Sequence, residues 1–271
     1  MVRTFELTFG RAHELGPSSS LTEASATLPS GAYTTLRTYG GARVVRLAQH
    51  VSRLEDSARA QGLDPATLDL TLVRAGLAQV VQAAGHAESR LRLTFSPPRL
   101  YACVEPFEPP PEALYRDGCW CVTVGARRER PQAKDTSFLG TARAAYDSLP
   151  PGAHEGLMLG PEGAVLEGLS SNFFAVREGI LHTEETRALP GVTRALVLEL
   201  ARTVLPLATT AVRHDQLREV SECFLSSVSR GILPVTRVDD LRVGDGKPGP
   251  FTRQLRSGFD QLMERSAEPL L

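Results

Sequence analysis

"VRTFELTF", residues 2–9, alternates apolar and polar side chains with the period of two that places every second residue on one face of a strand. "AYTTLRTY" and "ARVVRL" continue that pattern on either side of Gly40-Gly41, a hairpin signal. The period then changes. Val51, Leu54 and Ala58 recur at three- and four-residue spacing, which predicts a helix over "AQHVSRLEDSARAQGL". "PATLDLTLVRAGLAQVVQAAG" repeats the helical period and stops on Gly85. "SRLRLTFS" and "LYACVEPF" return to strand spacing around Pro97-Pro98, and "GPSSSLTEASATLPSG" (16–31), rich in Ser, Pro and Gly, reads as a loop.

Consecutive prolines in "EPFEPPPEALY" (105–115) suit neither a helix interior nor a central strand. They predict a smaller N-terminal α/β domain over 1–108, a linker at 109–112, and a larger C-terminal domain over 113–271. In that second part "CWCVTVGARRER" reads as a strand and "SFLGTARAAYDSL" as a helix. Residues 155–183 hold three strand-like runs, and "TRALVLELARTVL" is a helix beginning at "LPGVT". "SECFLSSVSRGILPVTRVDD" is strand with a Ser-rich break, and "PFTRQLRSGFDQLMERS" closes as an amphipathic helix. Helices and strands mix without regular βαβ alternation or an internal repeat, so the expected class is α+β.

Composition narrows the functional classes. A net charge of −1 and a pI near 6.6 leave no electrostatic footprint for nucleic acid or an anionic membrane. No apolar run reaches bilayer length and "MVRTFELTFGRAHELG" lacks a signal-peptide core, so a cytoplasmic protein is expected. Four cysteines form no CxxC pair and read as reduced, buried thiols. None of the six histidines stands at metal-ligand spacing from another, and no metal is expected.

Only two of the 30 basic residues are lysines, Lys134 in "QAKDTSF" and Lys247 in "GDGKPGP". A chain that uses arginine wherever a surface cation suffices is enriched, where lysine persists, for work that needs a primary amine. An amine can lose its proton and form an imine with an aldehyde; a guanidinium cannot. Lys247, among Gly, Asp and Pro, reads as an exposed turn residue. Three further features accompany Lys134: a helix start at "LPGVT" whose free amides favour a phosphate, Arg53 on a helix, and Glu167 among apolar strand residues.

Taken together and in order, "HVSRL", Lys134 with its downstream helix, "HEGLMLGPEGAVLEGLSSNFF" and "LPGVTR" resemble the fold-type IV pyridoxal-phosphate enzymes. This is the class IV aminotransferase family, with branched-chain and D-amino-acid transaminases and aminodeoxychorismate lyase among its members. The resemblance runs from "GAYTTLR" to "ILPV" and implies a two-domain, D-amino-acid aminotransferase-like fold with pyridoxal 5′-phosphate as cofactor. It implies that Lys134 forms the Schiff base with the cofactor aldehyde and then moves the substrate's α-proton, which requires an amine pKa well below the free value of about 10.4. Glu167 would face the pyridine nitrogen, and Arg53 would grip the phosphate. The amides of Val192 and Thr193, the Thr193 hydroxyl, Ser227 and the amide of Val228 would complete the phosphate cup. Tyr33 would be the active-site aromatic. Arg99, with Arg90 or Arg92 as alternatives, would meet a substrate carboxylate.

Several positions separate subtypes. "YTTLR" and "SRGILPV" look more like the lyase, and "FLSSV" more like the D-amino-acid transaminases. Tyr33-Thr34-Thr35 and Leu139 depart from the branched-chain pattern, and Val228 replaces a threonine. The leading expectation is an aminotransferase moving an amino group between an amino acid and a keto acid. A lyase releasing pyruvate from 4-amino-4-deoxychorismate is the alternative, and a non-catalytic pyridoxal-phosphate-binding protein the remote one. The resemblance also implies a homodimer and a small-molecule amino-acid or amino-chorismate substrate.

Overall fold

The structure is a computed structural model and describes residues 1–270. The chain divides into two compact units. The first comprises Met1–Glu108, Ala133–Leu139 and Met263–Leu271; the second comprises Pro109–Gln132 and Gly140–Leu262. The chain first passes from one to the other at 108/109, beside the Pro-rich run. The returns at 133–139 and 263–271 have no counterpart in the sequence reading, and the first of them carries Lys134.

The first unit is built on β1 (Val2–Thr8), β2 (Arg11–Ser18), β3 (Ala32–Tyr39), β4 (Arg43–Val45), β5 (Ser89–Ser96) and β6 (Arg99–Pro106), with a C-terminal strand Ala267–Pro269. Their order is C-terminal strand, β4, β3, β5, β6, β1, β2, and neighbouring pairs are antiparallel. Alternation decides the faces. Phe5, Leu36, Leu91, Leu93, Phe95 and Val104 point into one core with the apolar stripes of α2 (Leu47–Arg59) and α3 (Leu70–Ala84). Asp69 caps α3 by accepting from the Leu72 amide, and Gly85 ends it in the left-handed region at φ 66°.

Two elements of this unit depart from the sequence expectation. β2 carries no apolar alternation because it is an edge strand largely open to solvent, held by its hydrogen-bond register to β1. The Ser-rich loop contains a short helix, α1 (Leu21–Thr27), capped by Ser20 and packed through Leu21 and Ala24 against Val2 and Cys103.

Near the start of the second unit stands α4 (Glu112–Asp117), a short helix that begins at the last residue of the expected linker. β7 (Cys119–Val124) follows and ends before "GARRER", which is not strand. α5 (Ser137–Asp147), β8 (Glu155–Leu159), β9 (Val165–Gly168), β10 (Asn172–Arg177), β11 (Ile180–His182), α6 (Val192–Ala201), β12 (Leu207–Ala208), β13 (Val220–Ser227), β14 (Gly231–Val238) and α7 (Pro250–Ser266) complete it. The strand order is β12, β11, β10, β13, β14, β7, β8, β9, with β14–β7 and β7–β8 parallel. β9 pairs with β8 and also, through Glu167 opposite Asn172, with β10. The path of strands therefore returns on itself at Glu167. Phe174 and Phe224 face each other across β10–β13 and stack at 4.7 Å, while Phe173, Leu225 and Val235 fill the adjoining core. The class is α+β, as expected.

Candidate active site

Lys134 sits in a segment without helix or strand, yet its backbone is held on both sides. Its N–H donates to Ser57 Oγ at 3.0 Å, and its carbonyl accepts from the Tyr33 amide at 2.8 Å. Two residues on, Thr136 exchanges hydrogen bonds with Gly31: its amide donates to the Gly31 carbonyl, and its hydroxyl accepts from the Gly31 amide, each at 2.9 Å. Gly31 is required there, because a Cβ would collide with the Phe95 carbonyl on β5. The Lys134 Nζ lies 4.6 Å from the Tyr33 ring centre, and the Arg92 guanidinium 5.3 Å from the same ring. Arg92 is half-buried, and its desolvation pushes its pKa down; it donates to Ser25 Oγ at 2.7 Å and to the Leu21 carbonyl of α1. Arg99 stands elsewhere: its side chain is 62% exposed and reaches Glu6 at 3.7 Å.

Arg53 comes from the buried face of α2, where His50, Arg53 and Ser57 follow one another at helical spacing. Its Nη2 donates to Thr34 Oγ1 at 2.5 Å, and the Thr34 hydroxyl shares a 2.9 Å hydrogen bond with His50 Nδ1. Burial first, then the charges of Arg53 and Lys134, push His50 well below the ordinary histidine range, so its ring is neutral at mildly acidic pH. An unfolded His50 takes up a proton below about pH 6.5. On acidification the unfolded chain therefore binds that proton first, and stability falls as pH drops from about 6.5 until the folded ring also titrates. His50→Gln should flatten this slope in urea-unfolding midpoints measured between about pH 7.5 and 5; an unaltered slope excludes His50 as its source.

In the second unit Glu167 is buried on β9. Its Oε1 accepts from Arg128 Nε and its Oε2 from the Leu189 amide, both at 3.1 Å. Asn172, opposite Glu167 in the register, donates Nδ2–H to the Leu189 carbonyl at 2.8 Å. The Leu189 residue is thus held at both its N–H and its C=O, and this sets the approach of the chain to α6. Gly191 is the residue before that helix, and a Cβ on it would collide with Asn172 Oδ1. α6 begins at Val192 and Thr193 with no side-chain cap, so its first-turn amides have no intrahelical partner. Ser227 ends β13 and accepts from Arg230 Nε at 3.3 Å; Val228 lies half-buried in the turn that follows. A pocket of about 200 Å³ in this unit is lined by Arg128, Glu167, Met158, Leu166 and Pro131 among others.

Several buried polar atoms of the second unit are unmatched. Arg194 Nε and Nη2, on the first turn of α6, and Ser226 Oγ, on β13 opposite Asn172, have no hydrogen-bond partner. Together with the uncapped α6 amides they form a set of donors suited to a phosphate-bearing group. A carboxylate such as Glu167, which accepts at about four positions, suits a protonated ring nitrogen. The residues present therefore fit a phosphorylated heterocyclic cofactor. Arg128, Arg194, Ser226, Thr34, His50 and Ser57 were not singled out from sequence. Among the described residues no cluster of His, Cys, Asp or Glu could hold a metal ion, and no helix is long and apolar enough to cross a membrane.

Comparison with known proteins gives the family and the fold. Residues 31–238 match the family described as Amino-transferase class IV. The D-alanine aminotransferase of Staphylococcus aureus (strain MSSA476) is 29% identical over 252 residues, covering 86% of this chain and 88% of its own. A Thermotoga maritima structure assigned as a branched-chain amino acid aminotransferase superposes with a TM-score of 0.79 at 26% identity, covering 97% of this chain and 96% of its own. The T.th. branched-chain amino acid aminotransferase, solved with pyridoxamine 5′-phosphate, gives 0.80 at 21% identity, covering 99% and 98%.

Proposed function

The chain belongs to the amino-transferase class IV family, and from that premise we propose that it transfers an amino group between an amino acid and a keto acid, with pyridoxal 5′-phosphate as resident cofactor. Its α+β fold is that of the fold-type IV transaminases. Bound, the cofactor supplies an aldehyde that takes up an amine and a ring that draws electrons from the neighbouring C–H bond.

The chain's residues do the rest. Lys134 would hold the cofactor covalently through Nζ and, once the incoming amine displaces it, would take the proton from the substrate's Cα and deliver it to the cofactor carbon that carried the aldehyde. Arg53 binds the phosphate through charge-assisted hydrogen bonds, and its anchor on Thr34 fixes the direction in which it points. The amides of Val192 and Thr193, the Thr193 and Ser227 hydroxyls and the Val228 amide receive the same group. Valine at 228 limits that residue to its backbone. Glu167 would face the ring nitrogen and favour its protonated, more electron-withdrawing form. Tyr33 and Arg92 orient the substrate carboxylate; the half-buried position of Arg92 beside the Tyr33 ring favours it over Arg99, which is exposed and paired with Glu6.

The same reading takes the enzyme as cytoplasmic and homodimeric. Four buried cysteines without disulfide bonds support the first, and exposed Phe9, Leu15 and Leu72 on the first unit support the second.

The observation that carries the reading is Lys134: a primary amine whose backbone is fixed at both N–H and C=O, with its nitrogen against an aromatic ring. Its test is a half-reaction. Purified holoenzyme given D-alanine or a branched-chain L-amino acid, with no keto acid, should lose its visible absorption to the near-ultraviolet band of the aminated cofactor. A keto acid should then restore it. Pyruvate release from aminodeoxychorismate without any acceptor, and no bleaching by amino acids, would replace the transaminase with the lyase.

A further inference from the structure

"GARRER" looks in sequence like a solvated charge run, yet the Arg128 side chain within it is only 5% exposed. Removing a guanidinium from water is costly unless a charge and hydrogen bonds offset it. The offset here is Glu167, itself 4% exposed, whose Oε1 accepts from Arg128 Nε at 3.1 Å. The Leu189 amide takes the other oxygen, so the carboxylate is fixed in rotation as well as in charge. A second buried cation, Arg194, feels the field of Glu167, and the Glu184–Arg187 pair and Glu185 complete the charged surroundings.

We propose that Arg128 is a positioning residue for Glu167: it holds the carboxylate ionised and aimed, so that the proton shared with the cofactor's ring nitrogen stays on the nitrogen. The inference rests on the role given to Glu167 above. Its physical content is a competition for one proton. A carboxylate in an apolar site without a cation tends to take the proton itself, which would leave the ring nitrogen neutral and the ring a weaker electron sink. A charged donor on Oε1 and an amide on Oε2 both favour the anion. Arg128 acts through Glu167 and touches no reacting atom in this account. The chemistry also suits arginine: its planar guanidinium places an Nε–H on Oε1 while lining the neighbouring pocket, where a lysine ammonium would be a more strongly hydrated point charge.

The test uses holoenzyme reconstituted with cofactor labelled with ¹⁵N in the ring. Wild-type protein should show a pyridinium shift at neutral pH. Arg128→Met should move the resonance toward neutral pyridine, in the same direction as Glu167→Gln, and lower kcat by about 10- to 100-fold with a smaller change in KM. Arg128→Gln, which keeps a donor without charge, should fall between Arg128→Met and wild type, and Arg128→Lys should retain most of the pyridinium character. Should Arg128→Met not fold, the Gln and Lys variants decide. A wild-type nitrogen shift in Arg128→Gln and Arg128→Met, alongside a moved one in Glu167→Gln, overturns the inference and leaves Arg128 a packing residue. An unmoved shift in Glu167→Gln removes instead the reading of Glu167 on which it stands.

Discussion

Lys134→Arg protein, reconstituted with pyridoxal 5′-phosphate, should lack the absorption of the bound imine and turn over amino acids at least about 10³-fold more slowly than wild type. The substitution keeps a cation at residue 134 and leaves the backbone contacts to Ser57 and Tyr33 in place. Only the ability to lose a proton is removed, because guanidinium stays charged at any pH a protein survives. Loss of function from misfolding is separable: the near-ultraviolet circular dichroism of the variant should match that of the wild-type apoprotein. Lys134→Ala should show the same defect but regain part of its turnover with a small added primary amine. Borohydride treatment followed by peptide mass analysis gives the direct answer. A cofactor-sized mass increase on the peptide containing residue 134 is expected in wild type alone. The same increase in Lys134→Arg, or its appearance on the peptide containing Lys247, would end the account of catalysis given above.

Composition drew attention to Lys134, since against a background of arginine a retained lysine stands out, and the family resemblance supplied its role. Most regular elements were legible for the reason that their periods are long and clean, as in α3 with its Gly85 stop. β2 and α1 were not. β2 is exposed along its length and owes its position to register with β1, which leaves no apolar trace, and α1 buries only Leu21, Ala24 and Ser25. Arg128 was invisible for a related reason: what buries it is a carboxylate 39 positions later, brought close by the pairing of β9 with β8 and β10. The distinction between Arg92 and Arg99 depends on strand faces and on α1, which the sequence showed only as loop. Residues that hold other residues, such as Thr34, Ser57 and Asn172, have no signature of their own, since their identity as donors or acceptors matters only once a partner is in place.

Glu155→Ala should destabilise the second unit by about 3–5 kcal/mol, the largest stability effect expected of a single side chain here. The carboxylate is fully buried at the start of β8 and gathers five donors. Oε1 accepts from the Tyr146 hydroxyl at 2.5 Å and the Gly156 amide at 3.2 Å; Oε2 accepts from Arg230 at 2.8 Å, Ser171 at 2.9 Å and Ser170 at 3.1 Å. The cluster depends on charge as much as on hydrogen bonds. Burial and the Glu155 charge push the Tyr146 hydroxyl well above its ordinary range; at Arg230 burial pulls the other way, and the charges and hydrogen bonds of Glu155 and Tyr146 together raise it. Removing Glu155 would leave Arg230 nearly dry and uncompensated, which costs more than the lost contacts alone. That predicts a strong coupling: Glu155→Leu combined with Arg230→Met should recover most of the stability lost in Glu155→Ala, because an apolar pair of similar volume needs no mutual neutralisation. Arg230 also donates to Ser227, so Glu155→Ala should weaken cofactor phosphate binding through a residue that never touches the cofactor, whereas Arg143→Ala, removing an exposed ion pair on α5, should leave both quantities within about 0.5 kcal/mol of wild type. Urea unfolding of these proteins and of the Glu155→Leu and Arg230→Met single variants, with cofactor affinity measured on each, decides the matter. Additive losses in the double variant, or a Glu155→Ala cost below about 1 kcal/mol, would mean that water reaches this cluster and that its charges are solvated rather than paired.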